Sequence, residues 1–386
     1  MYYNSPFIYN YSIDPDIHRG TIQEVHISDI HFGVMDPKVQ YDILNEQFIK
    51  KIEGLPFNII SIDGDLFDHK FLSNSDTIMY ACQFVDKLVN LCRSKNATLV
   101  LLHGTESHDA KQLKLFYHYL EDPTIDIRIV ESARFEMIQG AKVLCIPEEY
   151  NKGRLYYQQL LYNSGFYDTV FMHGTIKGSI YGADKEDLDN PKNPVFDINS
   201  FNSCTGPIIA GHVHIAGCYD THMYYNGSPY RWCFGEEQPK GFLYVLHNLD
   251  THQYYVHFEE IVSFRYDTIN LDSMVNEDPK KVIEYIKSLQ AQGIDNIRVE
   301  FTLGDNDWLN IIKQYYKNNS TVKIKADTVE VREQAKQSTE FEEKYNQYSY
   351  IFDPQLTPYQ ILSRYINENK GYAYITADEL IEILKE

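Results

Sequence analysis

The sequence predicts an α/β protein made of two unequal units. Three observations predict it. Short apolar runs end abruptly at Asp or His. Amphipathic stretches with helical spacing lie between the first of these runs. Past Ser263–Asn270 the composition shifts and a shorter β/α alternation begins.

The elements follow in order. Gln23–Ser28 is a β-rich run that stops at Asp29. Asp36-Pro37 opens a helix, with the acid at a capping position and the proline in the first turn, where an N–H is not needed. Val39, Ile43, Phe48 and Ile52 recur at roughly helical spacing, and Gly54 closes the stretch. Phe57–Ile62 is a second strand, stopping at Asp63-Gly64-Asp65, and Ser73–Cys92 is a second amphipathic helix. Thr98–Leu102 is a third strand, stopping at His103-Gly104. The middle of the chain is richer in β. Phe135–Ile146 reads as a hairpin about Gln139-Gly140, Thr169–Met172 stops at His173-Gly174, and Ile208–Ala210 stops at Gly211-His212. Tyr224–Tyr225, Phe242–Leu246 and Tyr254–Phe258 follow as further strands, while the polar stretch Tyr181–Asn202 reads as a surface loop. A helix (Pro279–Gln292), a strand (Asn296–Thr302), a helix (Asp305–Tyr316) and a strand (Thr321–Lys325) make the second unit. Glu330–Asn346 reads as an exposed helix or linker, and Pro358–Ile366 and Ala377–Leu384 as short helices. The expected divisions are therefore 1–262, 263–330 and 331–386.

Composition sets outer bounds. With 386 residues, 43% apolar and 23% charged, the chain is long enough for two to three units and is not disordered throughout. No apolar run reaches the roughly 18 residues that span a bilayer, so no membrane association is expected. Met1–Asn10 lacks the basic and apolar regions of a signal peptide. Six cysteines with no CxxC pair suggest a reducing, cytoplasmic location. Neither a G-x-x-x-x-G-K-[ST] loop nor a G-x-S-x-G elbow is present, which argues against nucleotide binding and serine hydrolysis by this chain. The formal charge of −20 argues against a simple nucleic-acid coat protein.

Chemistry concentrates in five segments just after apolar strands: Asp29-Ile30-His31, Gly64-Asp65-Leu66-Phe67-Asp68, Gly104-Thr105-Glu106-Ser107-His108-Asp109, His173-Gly174, and Gly211-His212-Val213-His214. Mixed imidazole and carboxylate donors suit two divalent ions that activate water and clamp phosphoryl oxygens. Any one of these pieces alone is a weak signal. The ordered set, spanning Val25 to His214, resembles the calcineurin-like metallophosphoesterase superfamily. Its pattern runs D-x-H, G-D-x-x-D, G-N-H-D or E, a strand-end His, then G-H-x-H. A second segment, YNGSPYRWCFGEEQPKGFLYV at Tyr225–Val245, resembles the stretch after the last ligand pair in SbcD-type DNA repair nuclease subunits, although its glycines also suit turns.

The resemblance implies a four-layer α/β/β/α sandwich with a smaller α/β capping domain and C-terminal helices, the latter a docking region for a partner. It implies Asp29, His31 and His214 as ligands of one metal ion, Asp65 as a bridge, and His173 and His212 as ligands of a second. It implies His108 as the catalytic histidine. Asp68 and His69 are expected behind the ligands, orienting them. Asp109 has two readings: it holds the His108 ring, or it N-caps a helix at Lys111–Leu120. One departure matters. The family's Asn ligand before the catalytic His is Ser107 here, so Thr105, Glu106, Ser107 or a water must supply that oxygen. The cofactors implied are two divalent ions, Mn²⁺ first, with Mg²⁺, Fe²⁺ or Zn²⁺ as alternatives.

The function implied is a DNA nuclease subunit, a 3′-5′ exonuclease and single-strand endonuclease. It would act in a repair or recombination complex with an SbcC-type coiled-coil ATPase, as a homodimer. The alternatives are a small-molecule phosphodiesterase or phosphatase, and a scaffold with reduced catalysis. After Ile261, 15 basic residues stand against 21 acidic ones, so neither part of the chain is a basic platform. A nuclease with this charge needs a partner to attract phosphate.

Overall fold

The computed structural model describes residues 20–162, 164–179, 185–236, 238–274, 277–301, 306–326, 356–357, 359–361 and 363–364. Glu330–Asn346 and Ala377–Leu384 lie outside these residues, as do 181–184 of the expected surface loop. Of the expected helix at Pro358–Ile366, the described residues 359–361 and 363–364 are helical.

Seven short strands open the main unit. They are β1 (Thr21–Ile27), β2 (Ile59–Asp63), β3 (Thr98–Leu102), β4 (Asp126–Val130), β5 (Arg134–Ile138), β6 (Ala141–Ile146) and β7 (Thr169–His173). The two-residue strands β8 (Thr175–Ile176) and β9 (Val195–Phe196) pair with each other. β10 (Ile208–Gly211), β11 (Gly217–Asp220), β12 (Met223–Tyr225), β13 (Gly241–Asn248) and β14 (Tyr254–Glu260) complete the set. They form two six-stranded mixed sheets, ordered β14-β13-β1-β2-β3-β4 and β11-β12-β10-β7-β6-β5.

β1 to β4 pair in parallel, as do β6, β7, β10 and β12. Every residue of β2, β3, β7 and β10 is buried, which explains why these segments read as apolar runs without alternation. The sheets pack face to face through Ile22, Ile59, Val100, Leu102 and Val130 of one and Ile138, Val143, Cys145 and Phe171 of the other. Helices cover the outer faces. The first sheet buries Ile27, Ile60, Leu99 and Leu101 with Leu44, Phe48, Phe84 and Leu88, and the second buries Leu144, Val170 and Ile208 with Tyr157 and Leu161. This is the four-layer α/β/β/α sandwich that the sequence predicted.

Local chemistry sets the helix ends. α1 (Pro37–Leu44) starts where Asp36 accepts hydrogen bonds from the Lys38 and Val39 amides. It continues through a π turn at Asn45–Ile49 into α2 (Lys50–Glu53), capped by Gly54. α3 (Asp76–Lys95) begins three residues later than the sequence suggested, because Ser75 caps the Ile78 amide; Asn96, left-handed at φ 54°, ends it. A one-turn α4 (Glu106–Asp109) follows β3. Ala110 and Lys111 are left-handed, and they separate α4 from a 3₁₀ helix at Gln112–Glu121. α5 (Arg154–Tyr162), β4 and β11 were not foreseen. All six cysteines are free thiols. No described helix is long and apolar enough to cross a membrane.

The first compact unit runs to Asp267 and takes in Gly293–Asn296. The second comprises Thr268–Gln292 and the described residues from Ile297 on. It contains α6 (Pro279–Ala291) and α7 (Asn306–Tyr315), and a three-stranded sheet orders β15 (Tyr266–Asn270), β16 (Asn296–Phe301) and β17 (Val322–Ala326).

Candidate metal centre

Parallel strands put their carboxyl ends side by side, and the loops beyond those ends are where an open α/β sheet presents chemistry. Asp29 and His31 follow β1, Asp65 and Asp68 follow β2, and His108 follows β3. Glu148 follows β6, His173 ends β7, and His212 and His214 follow β10. The first two loops are tied together by main-chain bonds from Asp29 N to Gly64 O (3.1 Å), His31 N to Asp65 O (3.0 Å) and Asp68 N to Phe32 O (3.1 Å). Asp29, His31, Asp65 and His212 all have positive φ, at 52°, 49°, 53° and 86°. Such backbone persists only where surrounding structure holds it, and here it turns the donors toward one another.

The donors gather in overlapping groups, each within 4.8 Å. Asp29, His31 and His214 form one. Its imidazole nitrogens His31 Nε2 and His214 Nε2 face each other at 3.3 Å, and His214 Nε2 lies 3.7 Å from Asp29 Oδ1. Glu148, His173 and His212 form another, with Glu148 Oε2 3.4 Å from His212 Nδ1 and 3.9 Å from His173 Nε2. Asp65 stands between them: its Oδ2 is 3.6 Å from His31 Nε2 and 3.3 Å from His173 Nε2. A third group joins His31 to Asp68 and His108, and a fourth joins Asp29 and Asp65 to His173.

Two nitrogens face to face and several carboxylates in one buried space repel unless positive charge lies among them. Protons supply it in the metal-free protein. Burial works against a charged His173, yet the Asp65 carboxylate outweighs it and holds the ring's pKa well above the usual value. His31 is raised in the same way, against burial, by Asp68, Asp65 and Asp29. Burial acts to raise Asp65, but His173, His31 and His108 bring it below the ordinary carboxylate range. His212 is pushed down to about 4 by burial and by His173, and burial lowers His214. Burial raises Glu148. Divalent ions fit this donor set because metal binding displaces such protons. His173 gives the clearest sign. Its Nδ1–H donates to the Asp63 carbonyl at 2.7 Å, while its buried Nε2 has no hydrogen-bond partner and faces the carboxylates.

The structure brings together Asp29, His31, Asp65, His173, His212 and His214, with Asp68 and His108 alongside. His108 donates Nδ1–H to the Asp68 carbonyl, and its ring lies 4.6 Å from that of His31. Asp68 Oδ1 is 3.5 Å from His31 Nδ1, and His69, largely exposed, pairs with Asp68 Oδ2 at 2.9 Å.

Two expectations need correction. Asp109 neither holds the His108 ring nor caps a helix. It is fully buried and accepts the Gly104 amide (2.7 Å) and the Phe67 amide (3.1 Å), pinning two loops together. Ser107 is exposed, whereas the Thr105 hydroxyl faces Asp65 and Glu148, and the carboxylate grouped with His173 and His212 is Glu148. Sequence reasoning missed Glu148, although the signal was present: it is an acid just past the apolar run of β6. It also did not place Trp232 at the site, where its ring lies 5.4 Å from His31 and 5.0 Å from His214. There the buried Lys240 ammonium donates to the His214 carbonyl, Ser228 Oγ and Glu236.

Gly64 is a point where the site tolerates no side chain. At φ +89°, a Cβ there would lie 2.2 Å from His173 Nδ1. Gly64→Ala should destabilise the protein by about 2–4 kcal/mol, from left-handed strain plus overpacking. A urea midpoint equal to wild type would contradict this.

Together, a two-sheet α/β sandwich and buried histidines and carboxylates at its strand ends have the makings of a metallohydrolase centre. No protein-family model matches the chain, and no curated protein does. Two solved structures show distant likenesses. One crystal structure shares 13% identity at a TM-score of 0.38, covering 62% of this chain and 100% of its own. A protein of unknown function from Aquifex aeolicus shares 14% identity at a TM-score of 0.24, covering 47% of this chain and 94% of its own. Identities and scores this low carry no activity from those proteins to this chain.

Proposed function

We propose that the chain is a metal-dependent phosphodiesterase acting on DNA, the nuclease subunit of a repair complex whose ATPase partner supplies attraction for phosphate. The observation that carries the phosphodiesterase reading is the position of Asp65. One carboxylate oxygen faces an imidazole of each half, His31 at 3.6 Å and His173 at 3.3 Å. Asp29, His31 and His214 would hold one divalent ion, and His173 and His212 a second, with Asp65 shared. When bound, two such ions lower the pKa of water and neutralise phosphoryl charge.

The chain's own residues do the rest. Thr105 N donates to Asp65 Oδ1 at 2.6 Å and keeps the shared carboxylate in place. The Asp68 carbonyl takes the Nδ1 proton of His108 and fixes the ring, so Nε2 is the nitrogen that exchanges a proton. In the imidazolium form that proton passes to the departing sugar oxygen, general-acid chemistry that an imidazole can supply. What supports DNA as the substrate is the resemblance of the Tyr225–Val245 segment to SbcD-type nuclease subunits; within it, Lys240 donates to the His214 carbonyl and to Glu236.

Mn²⁺-dependent cleavage of a labelled duplex tests the reading. His108→Ala should lose at least about 100-fold in kcat while keeping its Mn²⁺. Undiminished cleavage by this variant refutes the role of His108. Turnover of a chromogenic phosphodiester with no cleavage of DNA would refute the nuclease assignment and favour a small-molecule phosphodiesterase.

A further inference from the structure

We propose that Glu148 is the oxygen ligand that completes the second half of the centre, replacing the amide that the chain lacks before His108. The inference rests on the two-ion reading above and adds a residue that no pattern in the sequence assigned. Glu148 is nearly fully buried, and its Oε2 lies among His212 Nδ1 (3.4 Å), His173 Nε2 (3.9 Å) and the Thr105 hydroxyl (3.0 Å).

An independent observation points to a cation there. His173 Nε2 is buried and without a hydrogen-bond partner, and it faces both the Asp65 and Glu148 carboxylates. With Nδ1–H committed to the Asp63 carbonyl, the neutral ring presents a lone pair to that space. The neighbouring loops are shaped around Glu148. Its amide donates to the His103 carbonyl (3.3 Å), tying the end of β6 to the end of β3. Thr105, from the loop that carries Ser107 instead of Asn, braces Asp65 through its amide and Glu148 through its hydroxyl.

A carboxylate in place of an amide adds one negative charge to this half. Asp65 and Glu148 together balance one divalent ion, which favours hard cations such as Mn²⁺ or Mg²⁺.

Mn²⁺ titration by calorimetry, with electron paramagnetic resonance to detect the coupled ion pair, tests the assignment without measuring activity. Wild type should take up two ions per chain. Glu148→Ala should lose the second or bind it at least about 100-fold more weakly, and the pair signal should disappear. Glu148→Gln, which keeps the side-chain shape, should retain both ions with the second weakened. Ser107→Ala should match wild type. If the Ala variant, or the Gln variant should Ala not fold, binds two ions as tightly as wild type, Glu148 is not a ligand and the two-ion reading stands without it. If wild type itself takes up no more than one ion, the two-ion reading fails and this assignment fails with it.

Discussion

On the proposed nuclease reading, Asp65→Asn should lower kcat for Mn²⁺-dependent DNA cleavage by about 10³-fold or more, which corresponds to roughly 4 kcal/mol of lost transition-state stabilisation. The reason is geometric. Asp65 Oδ2 faces an imidazole of each half, and Thr105 fixes the carboxylate from behind. An amide keeps the shape but offers a single neutral oxygen, so it cannot serve two cations equally. The substitution also removes the charge that balances His173 and His31, which burial otherwise disfavours. Mn²⁺ content should therefore fall together with kcat. A variant that keeps more than a tenth of the wild-type rate would show that Asp65 does not join the two halves.

His26→Leu should cost about 3–5 kcal/mol of stability, the usual penalty for removing one partner of a buried ionic group. His26 is fully buried between two carboxylates, with Nδ1 3.0 Å from Asp63 Oδ2 and Nε2 3.0 Å from Glu24 Oε2. Burial opposes the charged ring, but Asp63 and then Glu24 outweigh it and lift its pKa to about 9. The sign follows from linkage: a pKa raised on folding contributes stability that is complete below the unfolded value of 6.5 and fades as pH rises through about 9. The size of that contribution is roughly 3 kcal/mol. Wild type should lose about this much between pH 6.5 and 10 in urea unfolding, and His26→Leu should lack that part of the slope. A wild-type stability that stays flat across this range would exclude a charged His26. The same group connects to the centre, because Asp63 also accepts the Asn226 amide (2.7 Å) and its carbonyl holds His173.

Much of this protein was legible in its sequence, and the reason differs from residue to residue. Strands β2, β3, β7 and β10 are buried along their whole length, so each appears as an apolar run with a sharp end. Asp65 past β2, His173 at the end of β7 and His212 past β10 are polar at the point where burial of apolar side chains stops. Asp36-Pro37 announced α1 because capping is decided within one turn of chain. β4, with its alternating burial, and β11, with none of its residues buried, gave weaker signals and were missed.

What depends on contacts distant in the sequence was not legible. Asp109 lies beside His108 in the chain, yet it serves the amides of Gly104 and Phe67, a pairing that exists only once the β2 and β3 loops meet. His26 and Asp63 meet because β1 and β2 run parallel in a register that sets His26 opposite Ser61. Glu148 belongs with His173 and His212 because β6, β7 and β10 are parallel neighbours in the sheet. The sequence by itself determined the strands, the donor types and the ends at which they gather, since burial and capping act over a few residues. Only the tertiary structure decided which donors come together, because that rests on strand order and register, set by the packing of the whole sandwich.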